Sequence, residues 1–285
     1  MPEGNKSIMI TSSDSDTHND REISARMCHL SVADIEEKWN LKFGFNVAAP
    51  SFVIPAGAAE NSRFLSKYFP EICLLFFETD SCLEYTESDL PHDLSDLPVK
   101  WHVHLPLDLP WKQGLDVVWT KLAGLMDKAA HVSPHLYVLH PPTVPDMLVP
   151  LAKRLREAGI DPVDFLLENV EESDLPSMWE DARAGGYSTC LDLGHILAYG
   201  QHSVLDLPGL WDTVRMLHVY APDARDNSGR HTSLANLDKN GQKLLRTMFD
   251  HFRGDTVTME IFNEKGIFES VDLLAEWMSG WRNDI

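Results

Sequence analysis

The chain has 285 residues, 44% apolar and 24% charged, which suits a globular protein with one large core. Its formal charge of −20 argues against a polyanionic partner such as duplex DNA, which needs a basic footprint, and favours a small-molecule substrate. There is no apolar run of about 18 residues, so no transmembrane helix and no membrane partner are expected.

Residues 1–42 form an N-terminal extension unlike the rest. Its first part, MPEGNKSIMITSSDSD, is polar and reads as disordered; it lacks the basic and apolar regions of a secretory signal, so a cytoplasmic location is expected. LSVADIEEKW (30–39) has helical spacing and reads as a short docking helix. From residue 43 a different rhythm begins. Short apolar runs recur at 46–56, 71–78, 99–106, 135–142, 163–169, 187–195, 214–220 and 255–262. Helix-like stretches lie between them at 60–69, 114–130, 145–158, 175–185, 206–212 and 239–252, and a last one at 268–281. The segment between the second and third runs is rich in Pro and Asp, and no clear helix is read there. Alternating strands and helices imply parallel βαβ units, and eight of them fit a closed (β/α)8 TIM barrel over 43–285. An open doubly wound sheet is the alternative, but no G-x-G-x-x-G turn follows the first run. Cys28, Cys73, Cys82 and Cys190 form no CxxC pair; Cys73 and Cys190 lie in apolar runs and are expected as buried thiols.

The chemistry lies in where the polar residues fall. The second run ends at Glu78. The third carries His102 and His104, and the fourth ends at His140. The fifth ends at Glu168, and the sixth gives Asp192 with His195 three residues on. The seventh carries His218 and the eighth Glu260. In a parallel barrel these strand ends converge on one rim, where barrel active sites lie. Crowding Glu168, Asp192 and Glu260 in a low-dielectric pocket is costly unless a cation is shared among them. Mixed imidazole and carboxylate ligands suit Zn2+, Mn2+ or Fe2+ better than Ca2+. The ligand candidates are Glu168, Asp192, His218 and Glu260, then His140, His195 and His231, with His104 preferred over His102, which is left as a supporting residue. Glu78 is balanced between ligand and substrate contact. Trp101 and Trp111, like the other tryptophans, read first as core or helix-packing residues; because they flank the loop after the third strand, the second reading has them lining a pocket for a flat ligand.

The set Glu168, Asp192 with His195, His218 and Glu260 resembles the xylose-isomerase-like barrel superfamily, which includes sugar isomerases and epimerases and metal-dependent AP endonucleases. In the isomerase branch the resemblance gives Glu168, Asp192, His218 and Glu260 one Mn2+-type ion. In the endonuclease branch it adds His104, His140, His195 and His231 as ligands of a three-zinc cluster. Gly229 stands where that branch has an Asp, which puts the third ion in doubt; Asp226 is a substitute from the same loop. One to three divalent ions per chain, Zn2+ or Mn2+, are therefore expected.

PSFVIPAG (50–57), VHLP (103–106), LHPP (139–142), CLDLGHILAYG (190–200), LHVY through HTSL (217–234) and MEIF (259–262) look like the cobamide-remodelling enzymes of the superfamily. That likeness implies a hydrolase cleaving the phosphoester of the nucleotide loop of adenosylated corrinoids, with Glu168, Glu260 and His195 catalytic and Arg225 and Arg230 clamping the phosphate. A wide apolar mouth, partly from SFVIPAG, would be needed for so large a substrate. The alternative is a sugar isomerase or epimerase in which Glu168 and Glu260 exchange a proton beside a metal-polarised carbonyl.

Overall fold

A computed structural model describes residues 43–223 and 231–283. The extension 1–42, with the helix expected at 30–39, and residues 224–230, with Arg225, Asp226, Gly229 and Arg230, lie outside the described residues. In chain order the main elements are β1 (Asn46–Pro50), α1 (Ala58–Leu65), β2 (Glu71–Leu75), α2 (Thr79–Leu83), β3 (Lys100–His104) and α3 (Leu115–Ala129). They continue with β4 (Leu136–Leu139), α4 (Leu148–Glu157), β5 (Phe165–Glu168), α5 (Trp179–Gly185), β6 (Ser188–Asp192) and α6 (Leu193–Tyr199). The last are β7 (Val214–Val219), α7 (Lys239–His251), β8 (Thr256–Met259) and α8 (Glu264–Asn283).

The eight strands are parallel and close in sequential order, β8 pairing with β1. This is the expected (β/α)8 barrel, and each apolar run contains one strand. The helices differ in two places. The Pro- and Asp-rich stretch after β2 still makes the short α2 and a 3-10 turn over His92–Asp96. The helix after β6 is α6, which starts directly at Leu193, whereas 206–212 gives only 3-10 turns. The strand-like run LDLGHILAYG hides that start, because Asp192 is at once the last strand residue and the helix N-cap. Its Oδ1 accepts the His195 amide at 2.6 Å.

Side chains alternate faces along each strand, so residues two apart share a side of the wall. The inward file therefore stacks in layers, as in other barrels. A middle layer of Val138, Leu166, Cys190 and Met216 forms a small dry core of its own, joined by Leu136. One step further towards the strand C-termini, the same file carries His104, His140, Glu168, Asp192, His218 and Glu260. The outward file of Val47, Ile72, Leu74, Val103, Leu139, Leu167, Leu191, Leu217 and Val257 packs under the helices as the main core. Cys73 and Cys190 are free and buried, as expected.

Candidate metal centre

Glu168 sits at the middle of the rim and is completely buried. Its Oε2 lies 3.2 Å from His104 Nε2 and 3.2 Å from His140 Nε2, and its Oε1 lies 2.9 Å from His218 Nδ1. His218 Nδ1 also faces Glu260 Oε2 at 3.5 Å and Asp192 Oδ2 at 3.7 Å. One donor atom from each of Glu168, Asp192, His218 and Glu260 falls within 4.8 Å of the others, and His104, His140 and Glu168 form a second such group. The structure thus brings together all four residues read as the primary ligands, with His104 and His140 beside them.

Three rings are set by backbone carbonyls, which only accept. His104 Nδ1 donates to Leu105 O at 3.0 Å, His195 Nδ1 to Asn169 O at 2.7 Å, and His231 Nδ1 to Glu260 O at 2.8 Å. In the neutral ring each Nε2 then carries a lone pair, the tautomer a metal ligand needs. His195, on α6, stands 3.8 Å from Glu168 and 3.9 Å from Asp192. The His231 ring stacks on Tyr220 with centroids 3.9 Å apart.

The donor set fits a divalent cation. Asp192 Oδ2 and Glu260 Oε2 are buried with no hydrogen-bond partner, a costly state that a cation between them relieves. Burial pushes the Asp192 carboxyl up to about 7, helped by the neighbouring charges of Glu168 and Glu260. Burial opposes a charge on His195, but Asp192, Glu168 and Glu260 outweigh it and lift the ring to about 9. Burial also works against charge on Glu168 and Glu260, yet the His218 ring holds both below the usual carboxylate range. A concentration of negative charge stabilised mainly by imidazoles is a site into which a metal ion fits.

A cavity of about 270 Å3 opens above the cluster. His104, His140, Glu168, His195, His231 and Glu260 line its base, and Phe77, Leu107, Tyr199 and Phe262 line its walls. Phe52, from the SFVIPAG segment, packs edge-on against Phe77 at 5.0 Å and extends this apolar wall.

Three expectations are corrected. Trp101 is not at the mouth: it is the second residue of β3, buried at the other end of the barrel. Trp111 is likewise buried, as the core reading of the tryptophans expects, and lines no pocket at the mouth. Glu78 is exposed and accepts from the Ser81 hydroxyl at 3.0 Å, and it does not line the cavity; the preceding Phe77 does. His102 does not support the rim either, because it is two residues deeper than His104 and turns Nδ1 towards Glu71 at 2.7 Å. Arg225 and Arg230 lie outside the described residues.

The sequence reading missed Asn169. Its side chain accepts the Asp192 amide at 2.8 Å and donates to the Asp192 carbonyl at 3.1 Å, clamping the backbone that carries a ligand. A buried Asn one residue after Glu168 was the available signal.

No family model matches the chain, and no curated protein matches it. Solved structures do. A D-tagatose 3-epimerase-like protein superposes with a TM-score of 0.65 at 16% identity, over 84% of this chain and 99% of that one. A xylose isomerase domain protein from Salmonella typhimurium gives 0.59 at 17% identity, over 84% and 95%. The Escherichia coli 3-keto-D-glucoside 4-epimerase gives 0.52 at 14% identity, over 82% and 99%. These likenesses establish the xylose-isomerase-like TIM barrel fold. They also correct the expectation of a cobamide phosphoester hydrolase: the epimerases among them carry sugar chemistry on this barrel, which sides with the isomerase or epimerase alternative.

Proposed function

We propose that this chain is a divalent-metal-dependent sugar isomerase or epimerase. The observation that carries the reading is the buried set Glu168, Asp192, His218 and Glu260, with partnerless oxygens on Asp192 and Glu260, beneath a cavity at the barrel mouth. The epimerases that share the fold support the choice of chemistry.

Glu168, Asp192, His218 and Glu260 would hold the ion, Mn2+ or Zn2+. When bound, it supplies polarisation of a sugar carbonyl, which acidifies the adjacent C–H. The remaining work belongs to the side chains. Glu168 and Glu260, both held ionised, are the proton-transfer pair: one removes the proton at the carbon beside the carbonyl and the other returns it to the opposite face. His140 holds the Glu168 carboxylate by its Oε2, and His104 Nε2 lies at the same oxygen. His195 and His231 present Nε2 to the cavity as contacts for substrate hydroxyls. Arg225 and Arg230, which follow β7 in sequence, would contact polar groups of the substrate. The cavity is at the small end of small-molecule sites, which suits a sugar unit. His104, His140 and Glu168 also offer donors for a second ion, so the stoichiometry is part of the test.

The test is hydrogen exchange. Metal-loaded protein is incubated in D2O with D-tagatose, L-ribulose, D-allulose and a 3-keto-D-glucoside, and deuterium beside the carbonyl is followed by proton NMR. Exchange with product epimer is expected for at least one sugar. Glu260→Gln should slow it by about 10²–10⁴-fold and weaken metal binding while the fold survives. Undiminished exchange in Glu260→Gln, or none with any of these sugars, overturns the proposal.

A further inference from the structure

The opposite end of the barrel holds a second cluster that the proposed chemistry does not use. Glu71 is the first residue of β2 and is fully buried. Its Oε1 receives two imidazoles, His102 Nδ1 at 2.7 Å and His135 Nε2 at 2.9 Å. Its Oε2 accepts the Thr256 hydroxyl at 2.9 Å and the Asn46 amide at 3.4 Å. His102 Nε2 lies 3.4 Å from Thr258 Oγ1. His135 precedes β4, and its side chain is 36% exposed. It opens on a cavity of about 580 Å3 lined by Asn46, Trp101, Ser133 and Asp255, among others.

We propose that Glu71, His102 and His135 form a second divalent-cation site, of Zn2+ type, at the floor of the barrel and separate from the rim. Five features argue for it. The ligand set is two imidazoles and one carboxylate, which zinc takes with a water in the fourth place. The three donor atoms lie within 4.8 Å of one another. Zinc bonds of about 2.0–2.1 Å set tetrahedral donors roughly 3.4 Å apart, so the 2.7 and 2.9 Å separations need open by only about 0.5–0.7 Å. The supporting contacts are in place, with Thr258 on His102 and Thr256 and Asn46 on Glu71. His135 lines the floor cavity, which gives the cluster an entry path and room for a water as fourth ligand.

Binding needs no external proton acceptor when both rings are neutral. The His102 proton shifts from Nδ1 to Nε2, where Thr258 Oγ1 accepts it. The His135 proton shifts from Nε2 to Nδ1. The two freed lone pairs and Glu71 Oε1 then bind the ion, which would tie β2, β3 and the lead into β4 together.

The test uses full-length protein without a histidine tag, stripped with EDTA and dialysed against ZnCl2, with bound zinc counted by mass spectrometry. His135→Gln keeps an N–H donor for Glu71 but is a poor zinc ligand. It should bind one zinc fewer than wild type, or bind that equivalent at least about tenfold more weakly. His135→Cys, which restores a ligand, should recover it. The rim variant Glu260→Gln should keep the floor zinc, and adding His135→Gln should remove one further zinc and the part of the zinc-dependent rise in Tm that it carries. Equal zinc content and equal zinc response in wild type and His135→Gln would overturn the proposal and leave Glu71 as a hydrogen-bond hub.

Discussion

Gly194 shows how one missing methyl shapes the rim. It is the second residue of α6, and a Cβ there would overlap the Tyr220 ring. Tyr220 is buried and stacks on His231, so the glycine sets that imidazole's height over the cluster. Gly194→Ala is expected to destabilise the protein by about 1–3 kcal/mol through overpacking, seen as a lower urea midpoint, and to weaken metal binding. An unchanged midpoint would mean that Tyr220 has room to yield. At this scale much of the centre was legible in the sequence. Glu168, Asp192, His218 and Glu260 each lie towards the end of an apolar run, and the two-residue repeat puts His104 nearer the rim than His102. Glu71 was not legible as a partner of His102 and His135, because it opens a run and its partners are 31 and 64 residues away. Trp101 is three residues before His104 on β3, too deep to reach the rim.

Elements carry these side chains, and the loop after β1 shows how. Asn61, buried on α1, accepts the amides of Val53 and Ile54 at 2.7 and 2.9 Å. It donates to the carbonyls of Ile54, Ala56 and Gly57 at 3.1, 2.9 and 3.1 Å. One side chain therefore holds the turn that presents Phe52 to the mouth. Asn61→Ala leaves several of those backbone groups without partners and is expected to cost about 1–3 kcal/mol, with faster amide exchange over 52–57. Protection unchanged across that segment would count against the assignment. The strands were legible because parallel strands buried on both faces read as apolar runs. Helix α6 was not, since Asp192 ends a strand and caps a helix in the same position and leaves no polar gap between them.

For the whole molecule, the centre couples stability to pH and metal. In the metal-free protein Asp192 is raised to about 7 and His195 to about 9, and His218 is also raised, its burial outweighed by Cys190, Glu260 and Glu168. Each holds its proton more tightly folded than unfolded. Its contribution is full below the unfolded values, about 3.9 for Asp and 6.5 for His, and is lost as pH rises through the folded ones. Glu168 and Glu260 are lowered, so theirs is lost only in acid, outside this window. The Tm of chelated protein should therefore fall between pH 6 and 9. Saturating Mn2+ should flatten the decline, because the ion replaces the protons and binds only the native state. A chelated protein whose Tm holds or climbs over that range would refute this account.

The dry middle layer has a consequence of its own. Cys73 and Cys190 are sealed with no solvent exposure, and burial raises both thiols, Cys190 to about 12. Neither can meet an alkylating reagent as a thiolate while the wall stands. Their modification is a clock for rupture of the barrel itself, blind to fraying at either end, and bound ions should slow it only as far as they keep the wall closed.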